Sequence, residues 1–136
     1  MVDFSAAFPS LNQEFMFKVL QKQNVPSEFI HAIKQLYGNN KQFIRLEGST
    51  SPSFLISSGV KQGCPLSPIL FALALDPFLE YLSSKGPSHS LTRAYADDIG
   101  IVLENIKDFD CLSEPFTDLK EAANLDVNIT AVLKHV

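Results

Sequence analysis

Between residues 10 and 23, apolar side chains return at helical spacing, with Phe15, Met16, Val19 and Leu20 on one face. Ser10, followed three residues later by Gln13, reads as a capping box that starts this helix. Pro26 opens a second helix, predicted to turn Phe29, Ile30, Ile33, Leu36 and Tyr37 inward and to stop at Gly38. Residues 42–47 and 53–58 read as a hairpin joined through Gly48 and Pro52. After Pro65 the pattern changes to an apolar run, Ile69-Leu70-Phe71-Ala72-Leu73-Ala74-Leu75, which predicts a long helix and the most buried element. Pro77 should kink that helix or split it near Asp76.

The chain opens on the end of a strand, with Asp3 near its tip, and residues 86–90 read as a loop. Residues 91–103 predict two apolar strands folded around Asp97-Asp98. Residues 107–124 look helical despite Pro115, and residues 127–136 look extended. No internal repeat, low-complexity tract or linker interrupts these elements. The fold class expected is α+β, one unit of helices packed on an antiparallel sheet.

Length and composition narrow the picture. A chain of 136 residues with 46% hydrophobic content can build one domain with a real core and is not of the disordered class. Its longest apolar stretch, residues 69–82, is broken by Asp76, Pro77 and Glu80, so no bilayer-spanning helix and no membrane partner are expected. No basic segment with a cleavage site opens the chain, so no secretory signal is expected. Cys64 and Cys111 form no disulfide framework and have no metal-ligand partner at useful spacing, which suggests a reducing compartment or no redox role. His31, His89 and His135 are scattered and read as incidental.

Two stretches carry candidate chemistry. Tyr95-Ala96-Asp97-Asp98 puts an Asp pair at a hairpin tip, and Asp3 adds a third carboxylate from a strand end. Three such groups within a few Å repel strongly unless cations sit between them. Hard oxygen donors suit Mg²⁺ or Mn²⁺, and a paired-metal site is the usual arrangement for nucleotidyl transfer. Taken alone, an Asp pair is more simply a turn. The stretch Ser58-Gly59-Val60-Lys61-Gln62-Gly63-Cys64-Pro65-Leu66-Ser67-Pro68 alters the balance. Two glycines let backbone approach a ligand closely, Pro65 and Pro68 suit a loop entering a helix, and Gln62 both donates and accepts. Such a combination reads as a substrate-facing loop at the head of a buried helix.

With these residues in view, the chain resembles the reverse transcriptases of non-LTR (LINE-type) retrotransposons. Asp3-Phe4-Ser5-Ala6-Ala7-Phe8 is similar to their first palm motif, residues 59–68 to the second and Ala94-Tyr95-Ala96-Asp97-Asp98 to the third. Ala123-Asn124-Leu125-Asp126-Val127-Asn128-Ile129-Thr130 resembles the fourth more weakly. The resemblance covers nearly the whole chain, and its second motif is the most specific.

The resemblance implies an RNA-directed DNA polymerase whose Asp3 and Asp97 hold two divalent ions, Mg²⁺ or Mn²⁺, with Asp98 as a further ligand or supporting group. One ion would lower the pKa of a primer 3′-hydroxyl, and both would steady the phosphorus during in-line attack. Phe8 would pack against the sugar of the incoming nucleotide and leave no room for a 2′-hydroxyl, where without the motif it reads as a core ring. Gln62 and Gly63 would lie beside the nascent base pair and the dNTP. Lys61 is a solvated charge or lies on the template side, and Tyr95 packs under the primer terminus or is an ordinary strand aromatic.

Two positions depart from the family. Many members carry a second Asp after the aromatic, where this chain has Pro9; that position is not a metal ligand in the scheme above. The fourth motif usually places a Lys three residues after its Asn, and counting from Asn128 gives Ala131, with Lys134 out of register. That Lys is the candidate proton donor to the leaving pyrophosphate, so Ala131 argues for slow turnover. The formal charge of −4 is unusual for a chain that grips nucleic acid, and implies that the basic surfaces holding template and primer lie in other segments.

Complete members carry fingers before the first motif and a thumb after the fourth. Residues 1–136 are therefore expected to be a partial reverse transcriptase domain, a palm truncated at both ends. The implied partners are an RNA template, a DNA primer, dNTPs and the fingers and thumb segments. The first alternative is a catalytically inactive relic of a retroelement, favoured by Ala131 and the loss of pattern after Thr130. A group II intron maturase-like polymerase is the second, although Cys64-Pro65-Leu66-Ser67-Pro68 fits the non-LTR pattern better. Phe8 argues against a viral RNA-copying enzyme.

Overall fold

The structure, a computed structural model, describes residues 2–87 and 90–129. Strand β1 (Val2–Phe4) alternates as a half-buried strand must, with Val2 and Phe4 inward and Asp3 outward. Ala6 takes the left-handed conformation (φ 55°) and turns the chain into a single helical turn, α1 (Ala7–Ser10). Local sequence does little to hold α1. Its support is tertiary: the Val60 N–H donates to the Phe8 carbonyl (2.8 Å), and the Asn124 side chain donates to the Ser10 carbonyl (2.9 Å).

Helix α2 (Gln13–Lys22) starts at Asn12, whose side chain accepts from the Phe15 N–H at 3.0 Å. Ser10 is therefore not the cap. It ends α1, and Gln13 reaches away to the Gly59 carbonyl (3.0 Å) instead of closing a capping box. Met16, Val19 and Leu20 are buried as expected, with Phe15 half-buried beside them. Helix α3 (Ser27–Tyr37) runs from Pro26 to Gly38 and buries Ile30, Ile33 and Tyr37. Phe29 and Leu36, expected inward, are exposed: they flank the stripe that faces α2 rather than lie within it.

The expected hairpin is two short ladders. β2 (Lys41–Gln42) pairs with β5 (Phe54–Leu55), and β3 (Arg45–Leu46) pairs with β4 (Ser49–Thr50). Its tip is Glu47-Gly48, both at positive φ (40° and 86°), a conformation that matches the twist of paired strands. The second arm lies at 49–55 rather than 53–58, and with both faces exposed no alternation marked it.

Helix α4 (Ser67–Lys85) buries Leu70, Phe71, Ala74, Leu75, Phe78 and Leu82. It runs unbroken through Pro77, so of the expected kink or split the split does not occur. A proline at 77 cannot donate to the Leu73 carbonyl one turn back. The Gln23 amide of α2 supplies a donor, reaching the Leu73 carbonyl and the Asp76 carboxylate at 3.4 Å each. β6 (Leu91–Tyr95) and β7 (Asp98–Val102) form the expected hairpin around Ala96-Asp97, with Asp98 already in the second strand. A 3₁₀ segment (Ile106–Leu112) leads into α5 (Ser113–Ala123). Pro115 sits in the first turn of α5, where no intrahelical N–H is needed. β8 (Val127–Ile129) closes the described chain; the extended reading of residues 130–136 lies outside the described residues.

The four longer strands make one antiparallel sheet in the order β6-β7-β1-β8. Helices α2, α4 and α5 pack together, and Val2, Phe4 and Ile99 of the sheet join their core. Phe71 of α4 meets Phe4 edge-on (6.3 Å), and Phe78 meets Phe116 of α5 (5.2 Å). The arrangement is α+β, helices on an antiparallel sheet. No described helix is long and apolar enough to cross a membrane.

Candidate active site

Strand register decides what stands together on the open face of the sheet. Asp3 of β1 pairs with Asp98 of β7 on one side and with Asn128 of β8 on the other, and Asp98 pairs with Tyr95 of β6. Directly paired residues share a face, so Tyr95, Asp98, Asp3 and Asn128 form one row across all four strands. All four are exposed, Tyr95 by 85%. The opposite row, Ala94, Ile99 and Val2, lies one residue away on each strand; Val2 and Ile99 are almost fully buried, and Ala94 on the edge strand β6 is exposed. Asp97 sits in the turn beside Asp98, behind Ala96 at φ 52°.

The three carboxylates have no hydrogen-bond or ion-pair partner among the described residues. Nor does any trio of His, Cys, Asp or Glu among them stand close enough to hold a metal as placed. Asn128 is engaged, donating to the Ser5 hydroxyl at 2.9 Å.

The second group surrounds an open cleft of about 420 Å³ between α1 and the head of α4, lined by Phe8, Lys61, Gln62, Gly63, Cys64 and Pro65. Phe8 stacks on Phe71 (centroids 4.9 Å, planes 28° apart), so one face of its ring belongs to the core while the ring also walls the cleft. Gly59 (φ +77°) lies so close to α1 that a Cβ there would stand 2.5 Å from the Pro9 carbonyl oxygen and 2.7 Å from that of Phe8. Beyond it the loop opens out: Gly63 (φ +81°) has nothing within 4 Å of where its Cβ would be. The Lys61 backbone is held at both ends. Its N–H donates to the Tyr37 hydroxyl (3.3 Å), and its carbonyl accepts from the buried Ser67 hydroxyl (2.6 Å) and the Cys64 N–H (3.3 Å). The Lys61 ammonium lies 5.8 Å from the centre of the Tyr37 ring.

The profile of the family described as reverse transcriptase (RNA-dependent DNA polymerase) matches residues 1–130. The chain belongs to this family. Among the proteins this chain is similar to is the retrovirus-related Pol polyprotein of the type-2 retrotransposable element R2DM of Drosophila melanogaster. It is 30% identical over 132 residues, which cover 93% of this chain and 12% of that protein. An uncharacterized 149 kDa protein of transposon TX1 from Xenopus laevis is 28% identical over 121 residues, 83% of this chain and 9% of that protein. A third, the Pol polyprotein of the type-1 element R2 of Popillia japonica, is 28% identical over 111 residues, 76% of this chain and 18% of its own. The chain thus spans a small part of the length of the relatives it matches, and the resemblance to non-LTR retrotransposon reverse transcriptases stands.

Of the residues singled out by motif, the fold gathers Asp3 and Asp98 on one sheet face with Asp97 at the adjoining turn and Tyr95 alongside. It gathers Phe8, Lys61, Gln62 and Gly63 around one cleft. Ala131 and Lys134 lie outside the described residues. Motif reading missed Tyr37 and Ser67, which hold the loop. Tyr37 looked like one more inward residue of α3, and nothing local signals a hydroxyl bond to a residue 24 positions on.

Proposed function

We propose that the chain forms the catalytic palm of an RNA-directed DNA polymerase, adding dNTPs to a primer 3′-hydroxyl on an RNA template. The observation that carries this is the cross-strand pairing of Asp3 with Asp98, beside a turn that bears Asp97, in a member of the reverse transcriptase family. All three are hard oxygen donors, Asp3 and Asp98 on an open face and Asp97 in the turn at its edge, the chemistry Mg²⁺ and Mn²⁺ prefer. Asp3 and Asp97 would hold two such ions, with Asp98 in support; the chemistry they supply when bound is activation of the 3′-hydroxyl and neutralisation of charge at phosphorus. The side chains themselves set the position of the reacting groups, and no covalent intermediate on the protein is needed.

In this reading the cleft holds the incoming nucleotide. Gln62 and the bare backbone of Gly63 lie against its base pair and Phe8 against its sugar, while Tyr95 supports the primer end and Lys61 the template side. Fingers and thumb segments complete the grip on nucleic acid. Titration of the chain with Mn²⁺ tests the site directly. Saturable NMR broadening centred on Asp3, Asp97 and Asp98, abolished in Asp3→Asn, is expected; uniform, unsaturable broadening would overturn the reading.

The same reading makes Phe8 the sugar gate. Phe8→Val should raise incorporation of ribonucleotides relative to deoxynucleotides by about tenfold or more, since the space of a lost ring is worth about 1–3 kcal/mol of discrimination. Competition between rNTP and dNTP in primer extension measures it. An unchanged ratio, with the cleft intact, would return Phe8 to the role of a core ring.

A further inference from the structure

We infer that Tyr37 is a positioning residue of the nucleotide cleft, acting with Ser67 as a two-hydroxyl clamp on Lys61; the inference rests on the nucleotide reading of that cleft. Three observations converge on it. Tyr37 and Ser67 are both more than nine-tenths buried, yet each directs its hydroxyl at the same exposed-loop residue from opposite sides. Tyr37 comes from the end of α3 and Ser67 from the first turn of α4, so the clamp fixes the loop to two helices at once. Between Lys61 and Cys64, Gln62 and Gly63 make no hydrogen bond among the described residues, and Gly63 is at positive φ with nothing within 4 Å of where a Cβ would stand.

The consequence is mechanical. Lys61 is the last anchored residue before Gln62 and Gly63, and the direction in which those two enter the cleft is set by the peptide planes on either side of Lys61. The Tyr37 ring also makes a weak cation–π contact with the Lys61 ammonium, 5.8 Å from its centre. Tyr37 is itself braced, edge-on, by Phe17 of α2 at 6.2 Å. A buried phenol that served packing alone would not need its hydroxyl there, because a ring of the same shape fills the same space.

Tyr37→Phe keeps that ring and removes only the hydroxyl. In the intact chain, the Lys61 amide should then exchange with solvent about three- to tenfold faster, the loss expected for one hydrogen bond. Amides of Leu20 and Ile33 should quicken no more than the Lys61 amide, and the melting temperature should fall by only about 2–6 °C. Affinity for dTTP with Mg²⁺, followed by NMR titration, should weaken about three- to tenfold in parallel. Ser67→Ala, which frees the Lys61 carbonyl, should act in the same direction and decides the matter if Tyr37→Phe does not fold. Unchanged Lys61 exchange in the folded variants would overturn the clamp. Faster exchange with unchanged dTTP affinity would overturn the positioning role. Failure of the parent chain to bind dTTP at all would overturn the nucleotide reading itself and the inference with it, and is told apart because it appears before any substitution.

Discussion

Asp97→Asn is expected to lower RNA-templated primer extension at least about a thousandfold, because several kcal/mol of charge stabilisation are concentrated at such a site. The assay supplies the chain with the fingers and thumb segments of a complete relative, and reads dNTP incorporation at saturating Mg²⁺. The substitution is nearly isosteric and removes a charge, at a half-buried residue of a two-residue turn whose side chain has no hydrogen-bond or ion-pair partner among the described residues. Asp3→Asn should be as damaging, and its effect on folding should have the opposite sign. Like charges directly opposite on neighbouring strands destabilise a sheet. At cross-strand distances near water that repulsion is on the order of 1 kcal/mol or less. Without divalent cations, Asp3→Asn should therefore match or slightly exceed the parent in urea. Adding Mg²⁺ should raise the midpoint of the parent and leave the variant where it was, because only a native state that binds the ion is stabilised by it. Equal activity in parent and variant would remove the carboxylates from the chemistry. Robust Asp97-dependent synthesis by the chain alone would show that fingers and thumb are not required.

Gly59→Ala should be the most destabilising small substitution in the loop, by about 3 kcal/mol or more. Two costs add. A φ of +77° is strained for any L-residue with a side chain, by about 1–2 kcal/mol. The new Cβ would also stand 2.5 Å from the Pro9 carbonyl oxygen and 2.6 Å from the Pro9 Cα, backbone atoms that cannot rotate aside. Separation of α1 from the loop would break the Val60-to-Phe8 and Gly59-to-Leu11 bonds (2.8 and 2.7 Å) and loosen one wall of the cleft. Gly63→Ala is the internal control. It has a similar φ of +81° and open space, so only the conformational cost of about 1–2 kcal/mol applies. Urea unfolding of the two variants side by side checks the argument, and equal losses would mean that the close approach at Gly59 carries no weight.

Helices α2, α3 and α4 were legible because their apolar residues repeat at helical spacing and the chain punctuates them with Pro26, Gly38 and Pro65. The β6–β7 hairpin was legible for the complementary reason, two apolar runs meeting at Asp97. What failed was decided by contacts between distant residues. Asn12 rather than Ser10 caps α2 because α1, a turn held by residues 59–60 and 124, occupies the position Ser10 would need. Phe29 and Leu36 match the period of α3 but lie at the margins of its buried stripe, a distinction of a few tens of degrees that a single chain does not encode. The second arm of the outer hairpin was misplaced because strands exposed on both faces have no alternation to read. For the site, motif order identified the carboxylates and the loop. The pairing of Asp3 with Asp98 and the hold of Tyr37 on Lys61 are properties of register and docking, which appear only once the strands and helices are assembled.

The bond from Gln23 to the Leu73 carbonyl has an evolutionary consequence. The Gln23 amide, at the C-terminal cap of α2, answers the carbonyl that Pro77 leaves open in mid-helix. Should drift restore an N–H at position 77, selection on Gln23 relaxes; should Gln23 be lost first, Pro77 becomes a liability. The two positions are thus expected to be epistatic, so that the cost of losing Gln23 should depend on whether residue 77 is proline.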